Sequence, residues 1–188
     1  MASKSYLKNV AVIGLRLLLI CAVIAGVVSF VYTVTFDAYQ KNLDREIRQS
    51  MAVIFNASEN DVIDLHVYDG KLDSDIRAVY TVMINGETVG YCVNVIGKGF
   101  GGDINLMVGY QPDKSIRGVS IVSHGETPGV GSKVGDAAYL SQYGGLFGEL
   151  TISKRGDADI TAISGATISS KAVHEAVVRA CEALAPVQ

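Results

Sequence analysis

Hydrophobic and polar positions follow three different periods along the chain. Residues 17–36 (LLLICAVIAGVVSFVYTVTF) run for 20 positions without a charge. At about 1.5 Å per residue, a helix of that length spans about 30 Å, the thickness of a bilayer's hydrocarbon core. Its polar side chains are Ser29, Thr33 and Thr35, whose hydroxyls can bond back to the helix, and Tyr32 near the far end, where aromatic residues favour the interface. No small-residue cleavage site follows the run, so it predicts an uncleaved transmembrane anchor rather than a signal peptide. Next, Tyr39, Leu43, Ile47, Met51, Ile54 and Phe55 recur every three or four positions. This stripe predicts a juxtamembrane amphipathic helix within 37–60, with Asn56-Ala57-Ser58 as its end.

Beyond it the period shortens to two. Segments 78–84 and 89–96 alternate, with Val89, Tyr91, Val93 and Val95 expected on one face. Asn85-Gly86 between them signals a tight hairpin, because both turn positions favour positive φ. The run Gly97-Lys98-Gly99-Phe100-Gly101-Gly102 has neither a Gly-Lys-Ser/Thr ending nor a GxGxxG pattern, so it reads as a flexible turn rather than a phosphate cradle. Segments 104–110 and 116–122 predict a second strand pair, and 136–143 a short helix capped by Asp136. The last helix places Val173, Ala176, Val177, Ala180, Cys181 and Leu184 on one face and His174, Glu175, Arg179 and Glu182 on the other, with Pro186 past its end. The fold class is therefore α+β. A tail (1–16), a transmembrane helix (17–36) and a juxtamembrane helix (37–60) precede one domain (61–188) with a mostly antiparallel sheet and flanking helices.

Charge sharpens this division. The chain has 188 residues, 16 basic and 19 acidic, for a net −3. Lys4, Lys8 and Arg16 give residues 1–36 a charge of +3, so the remainder carries −6. Such a balance excludes a strongly basic nucleic-acid binder, and 49% apolar residues exclude a disordered chain. Three basic residues precede the span and three (Lys41, Arg45, Arg48) follow it closely. The preceding tail has no acid and bears the α-amino group, so a cytoplasmic N-terminus and an extracytoplasmic domain are expected.

Familiar catalytic signatures are missing. Cys21, Cys92 and Cys181 show no CxxC spacing, and His66, His124 and His174 are scattered, so neither a metal nor a thiol redox centre is expected. Buried thiols are the expectation for Cys92 and Cys181, with a disulfide between them as the alternative. No GxSxG elbow marks a hydrolase.

Two polar, glycine-bearing loops remain. The first, 123–133, contains His124, Glu126, Thr127, Pro128, Gly129 and Gly131. One proline and three glycines fix its shape and let its backbone approach a ligand closely. The second, 159–170, leads straight into the last helix, with Ser169 and Ser170 as candidate caps. Free N–H groups and the positive end of the helix dipole favour an anion there.

Within the second loop, Ser164-Gly165-Ala166-Thr167, with Asp159 eight residues before Thr167, resembles the flavinylation motif of the bacterial FMN-binding domain family. His124-x-Glu126-Thr127-Pro128-Gly129-x-Gly131 resembles a second signature of that family. Ile160 and Ala162 stand where the pattern usually has Gly and Thr, and the acceptor is intact. With its single anchor, the whole chain is similar to G subunits of Rnf ion-translocating ferredoxin:NAD+ oxidoreductases, and to the usually longer C subunits of Na+-translocating NADH:quinone oxidoreductases.

The resemblance implies FMN attached through a phosphoester to Thr167 by a flavin transferase, which takes it from FAD with Mg2+. It implies that Ser164, Gly165, Ala166, Ile168, Ser169 and Asp159 surround the attachment point, and that Glu126, Thr127, Gly129 and His124 lie against the flavin. The implied role is electron transfer within an oxidoreductase complex in the bacterial cell membrane, beside other membrane and iron–sulfur subunits and not as a complete enzyme. A stand-alone anchored flavoprotein, a non-redox binding module and a hydrolase using Thr167 or a serine with His124 and Glu126 are the alternatives.

Overall fold

The computed structural model describes residues 2–58, 64–67 and 73–184. Pro186 and the expected boundary between residues 60 and 61 lie outside these. The chain forms two compact units, Met1–Arg45 and Glu46–Gln188.

The first unit consists of helix α1, which runs over Ala2–Phe55 and whose last turns belong to the second unit. A stretch of it is long and apolar enough to cross a membrane. Every side chain from Val12 to Phe36 is exposed, an arrangement that water would oppose and lipid would favour. Thr33 does bond back, its hydroxyl donating to the Ser29 carbonyl at 2.9 Å.

The second unit is built on a five-stranded antiparallel meander of β1 (Asp64–Val67), β2 (Ile76–Ile84), β3 (Glu87–Lys98), β4 (Asp103–Tyr110) and β5 (Ile116–His124), in that spatial order. Asn85 (φ 54°) and Gly86 (φ 82°) make the tight β2–β3 turn that their sequence predicts. After β5 come a 3-10 turn (Gly131–Gly135), helix α2 (Ala137–Leu140) and a second 3-10 turn (Ser141–Tyr143). Two short parallel strands follow, β6 (Ile152–Ser153) and β7 (Ile160–Thr161), before helix α3 (Thr167–Leu184).

Both faces of the sheet are covered, which is why β3 reads as a nearly continuous apolar run. On one face, Val93, Val95, Leu106, Val108 and Tyr110 pack with Val173, Ala176, Val177, Ala180 and Leu184 of α3. On the other, Cys92, Val82 and Met107 pack with Met51 and Phe55 from the end of α1. The amphipathic stripe of the sequence is thus partly a core element. Arg117 of β5 fastens this end: Nε donates to the Ile54 carbonyl at 3.1 Å and Nη2 to the Phe55 carbonyl at 3.3 Å. Its guanidinium also lies 5.0 Å from the centre of the Phe55 ring. These carbonyls belong to the last turn of the helix, where no intrahelical donor remains.

Several local expectations need correction. Val89 does not share a face with Tyr91, Val93 and Val95. The register shifts between Val82 and Met83, and this irregularity turns Val89 toward Cys92 and Met51. Asp136 occupies the position before α2, but its side chain makes no capping bond. His174 lies on the buried side of α3, 7% exposed, with Nε2 3.1 Å from the Leu150 carbonyl. Burial pulls its pKa below the ordinary histidine value. Cys92 and Cys181 are both free thiols on opposite faces of the sheet, so a disulfide between them is sterically excluded. Burial pushes both thiols up, which makes them poor nucleophiles.

Replacing Arg117 by Ala removes both bonds to the helix end. The expected cost is about 1 kcal/mol in denaturant unfolding of the full chain, with Arg117→Lys recovering only part of it because a single ammonium does not reproduce the planar fork.

Candidate functional site

One cavity of about 470 Å³ gathers parts of three loops, a volume within the roughly 300–1,000 Å³ of small-molecule sites. Its walls are Phe100 from the β3–β4 turn, Glu126, Thr127, Val130 and Gly131 from the loop after β5, Lys154 from just after β6, and residues 165–169 at the start of α3.

Helix α3 begins at Thr167, three or four residues earlier than Ser169 or Ser170 would place it as caps. Gly165 supplies the turn with φ +84°, and the Ala166 N–H donates to the Ile163 carbonyl. The Ser170 N–H donates to the Ala166 carbonyl at 2.9 Å, so the N–H groups of Thr167, Ile168 and Ser169 precede the helical ladder. Ser169 and Ser170 therefore lie inside the first turn and fasten it. The Ser170 hydroxyl accepts from the Ile163 N–H at 3.0 Å, and the Ser169 hydroxyl donates to Glu126 Oε2 at 2.7 Å.

Glu126 joins the β3–β4 turn and the loop after β5 to the start of α3. It is 5% exposed, and its Oε1 accepts from the Gly101 N–H at 3.1 Å while Oε2 accepts from Ser169. A side chain at Gly99 or Gly131 would collide with the carboxylate oxygens, so glycine at both positions makes room for them. The Gly99–Gly102 run is therefore not simply a flexible turn: Glu126 pins it, and it presents Phe100 to the cavity.

Of the eleven residues that the sequence nominates, the cavity brings together Glu126, Thr127, Gly165, Ala166, Thr167, Ile168 and Ser169. The other four support its walls or lie apart. His124 is exposed, and its Nδ1 accepts the Glu126 N–H at 3.3 Å, which shapes the loop. Gly129 has φ +78° and donates its N–H to the Ser132 hydroxyl at 2.9 Å, a turn that carries Val130. Ser164 is exposed and is not part of the wall. Asp159 Oδ2 accepts the Thr151 N–H at 2.9 Å and the Thr151 hydroxyl at 2.7 Å. These two bonds hold its carboxyl below the usual carboxylate range.

Phe100, Val130, Gly131 and Lys154 were not nominated as ligand contacts by sequence reasoning. An aromatic residue in a glycine run and a lone lysine carry little periodic signal. What singles out Phe100, Val130 and Ile168 is exposure: they are 73%, 49% and 55% exposed, yet all three border the same cavity. Three large apolar side chains around one opening suit a flat, apolar ligand. The helix start, the Thr167 hydroxyl and the Lys154 ammonium suit an anion. A planar ring bearing a phosphate, as in a flavin mononucleotide, fits both parts. No cluster of His, Cys, Asp or Glu able to hold a metal occurs among the described residues.

Comparisons with known proteins agree with this chemistry. A family model described as the FMN-binding domain matches residues 99–182. The chain is 31% identical over 186 residues to the G subunit of a proton-translocating ferredoxin:NAD(+) oxidoreductase complex of Clostridium ljungdahlii, covering 97% of this chain and 95% of that one. It is 29% identical over 174 residues to the G subunit of an ion-translocating oxidoreductase complex of Methanosarcina acetivorans, covering 90% and 92%. The crystal structure of the C subunit of the Na(+)-translocating NADH-quinone reductase of Parabacteroides distasonis shares the fold, with a TM-score of 0.58 and 19% identity over 78% of this chain and 92% of that one.

Two outcomes are expected. Glu126→Ala leaves the Gly101 N–H and the Ser169 hydroxyl without their acceptor and lowers unfolding free energy by about 1–3 kcal/mol. Because the pKa of Asp159 is lower folded than unfolded, its contribution is present above the carboxylate range and lost as pH falls through it. Urea midpoints followed from pH 7 to pH 3 will show a smaller acid-side decline in Asp159→Asn than in the wild-type chain.

Proposed function

This chain belongs to the family of G subunits of ion-translocating ferredoxin:NAD(+) oxidoreductase complexes, and on that premise we propose that Thr167 carries FMN covalently, through a phosphoester to its hydroxyl oxygen. The protein is an FMN-binding electron-transfer subunit of an ion-translocating oxidoreductase and associates with a membrane. It supplies one station in a complex rather than a complete enzyme.

The observation that carries the attachment is the state of four hydroxyls around the start of α3. Ser169 and Ser170 are 2% and 0% exposed, and both hydroxyls are held by hydrogen bonds. Ser164 lies outside the cavity wall. Thr167 is half-buried, lines the cavity, and has no hydrogen bond to its hydroxyl among the described residues. Of these four it is the hydroxyl whose residue lines the cavity without a hydrogen-bond partner among the described residues.

On this reading a flavin transferase works with FAD and Mg2+. Thr167 Oγ1 forms a bond to the phosphorus of the FMN half while the bond to the AMP half breaks. AMP leaves, and the threonine proton passes to a base of the transferase. The product is a phosphodiester anion beside the free N–H groups of Thr167, Ile168 and Ser169. The bound flavin supplies the one- and two-electron chemistry. Thr167 would fix its position, Glu126 holds the loops that line the cavity, and Phe100, Val130 and Ile168 would pack against the apolar part of the ring. Thr127, Gly165 and Ala166 contribute wall and backbone, and Asp159, His124, Gly129 and Ser164 support or flank that wall.

The same reading gives the chain a cytoplasmic tail (1–16), a span (17–36), a juxtamembrane segment (37–60) and an extracytoplasmic flavin domain (61–188). Its neighbours are the other membrane and iron–sulfur subunits of the complex. A tethered flavin is advantageous outside the cytoplasm, because a dissociated one is lost to the surroundings.

Coexpression with a flavin transferase followed by intact and peptide mass spectrometry tests the attachment. A single FMN adduct on the peptide containing Thr167 is expected, retained in Thr167→Ser and absent in Thr167→Ala. An adduct that survives Thr167→Ala, or none on the wild-type chain, refutes it.

A further inference from the structure

Resting on that reading of the cavity as a flavin site, we propose that Lys154 is the residue that recognises the flavin phosphate, and that Asp159 serves by positioning it. Lys154 is the only basic side chain among the described residues lining the cavity, which Phe100, Val130 and Ile168 also border. It is exposed and has no ion pair among the described residues. The other charged residue in the wall, Glu126, is an anion with both oxygens already engaged by Gly101 and Ser169. A phosphate joined to Thr167 therefore enters a site where Glu126 already places one negative charge, bonded to Ser169 two residues along the same helix. The helix start offsets part of that repulsion, and a cation lining the same cavity offsets more.

The loop that carries Lys154 is fastened on both sides. The Ile160 N–H donates to the Thr151 carbonyl at 3.0 Å, and the Ala162 N–H to the Ser153 carbonyl at 2.8 Å. Asp159 reinforces the pairing by gripping Thr151 through its carboxylate and by donating its own N–H to the Thr151 hydroxyl at 3.2 Å. The Arg155 N–H donates to the Ser153 hydroxyl at 3.1 Å, which turns the chain directly after Lys154. Asp159 is not in the cavity wall, yet it holds the segment from which Lys154 reaches it. This gives Asp159 a positioning role in place of contact with the flavin.

Free flavins distinguish phosphate recognition from ring packing. In the full-length Thr167→Ala chain, which has no acceptor hydroxyl, FMN and riboflavin differ only by the phosphate. FMN is expected to bind about tenfold more tightly than riboflavin at low salt, a ratio that shrinks as ionic strength rises. Adding Lys154→Gln should remove most of this advantage, leaving the part due to the helix start, while riboflavin affinity is unchanged, and Lys154→Arg should preserve it. Asp159→Asn should reduce the advantage in the same direction without altering riboflavin binding. Absence of an FMN advantage in the chain that retains Lys154, or an undiminished advantage in Lys154→Gln, overturns the proposal. Failure of the proposed attachment is seen separately, as a wild-type chain that gains no covalent FMN from FAD and flavin transferase.

Discussion

The buried carboxylate of Glu126 is the contact on which the site depends. An isolated charge in a protein interior is costly, and it is tolerated when hydrogen-bond donors surround it. Here one oxygen takes the Gly101 N–H and the other the Ser169 hydroxyl, so a single side chain closes the β3–β4 turn and the loop after β5 onto the first turn of α3. The positive end of the helix dipole lies on the same side. The glycines at 99 and 131 follow from this requirement, since any larger side chain would occupy the space of the carboxylate. Three of the four segments that line the cavity are thus held together by one charge that has to be satisfied.

The elements with strong local signals were legible from the sequence. The uncharged run before residue 37, the Asn85-Gly86 turn and the apolar face of α3 each depend on one period or one turn preference. The errors arose where tertiary contacts override such signals. A strand irregularity places Val89 on the opposite face from its alternating neighbours. His174 falls on a helical face that looks polar, yet the loop around Leu150 covers it and brings a carbonyl to its ring nitrogen. Ser169 and Ser170 looked like caps because hydroxyls favour helix starts, whereas their bonds to Glu126 and Ile163 put them inside the helix. Within the site, the two family-like loops led directly to seven of the wall residues. Phe100 and Lys154 stayed hidden, because their significance lies in what Glu126 and the β6–β7 pairing place them against.

The balance of charge and apolar surface also bears on why a covalent link would suit this cavity. Phe100, Val130 and Ile168 border it while remaining substantially exposed, so a flavin seated there keeps part of its edge toward solvent or a neighbour. An open edge favours electron exchange with neighbouring subunits, but it buries less surface, and less burial means weaker retention. Enclosing the ring would improve retention and lengthen the path to its redox partners. The proposed phosphoester to Thr167 would separate the two demands, because residence would no longer depend on affinity. The surrounding residues would then be left with orientation and electrostatics, the helix start and Lys154 serving the phosphate and the apolar side chains the ring. A domain of this size does not need to enclose the cofactor as long as it holds one end of it firmly.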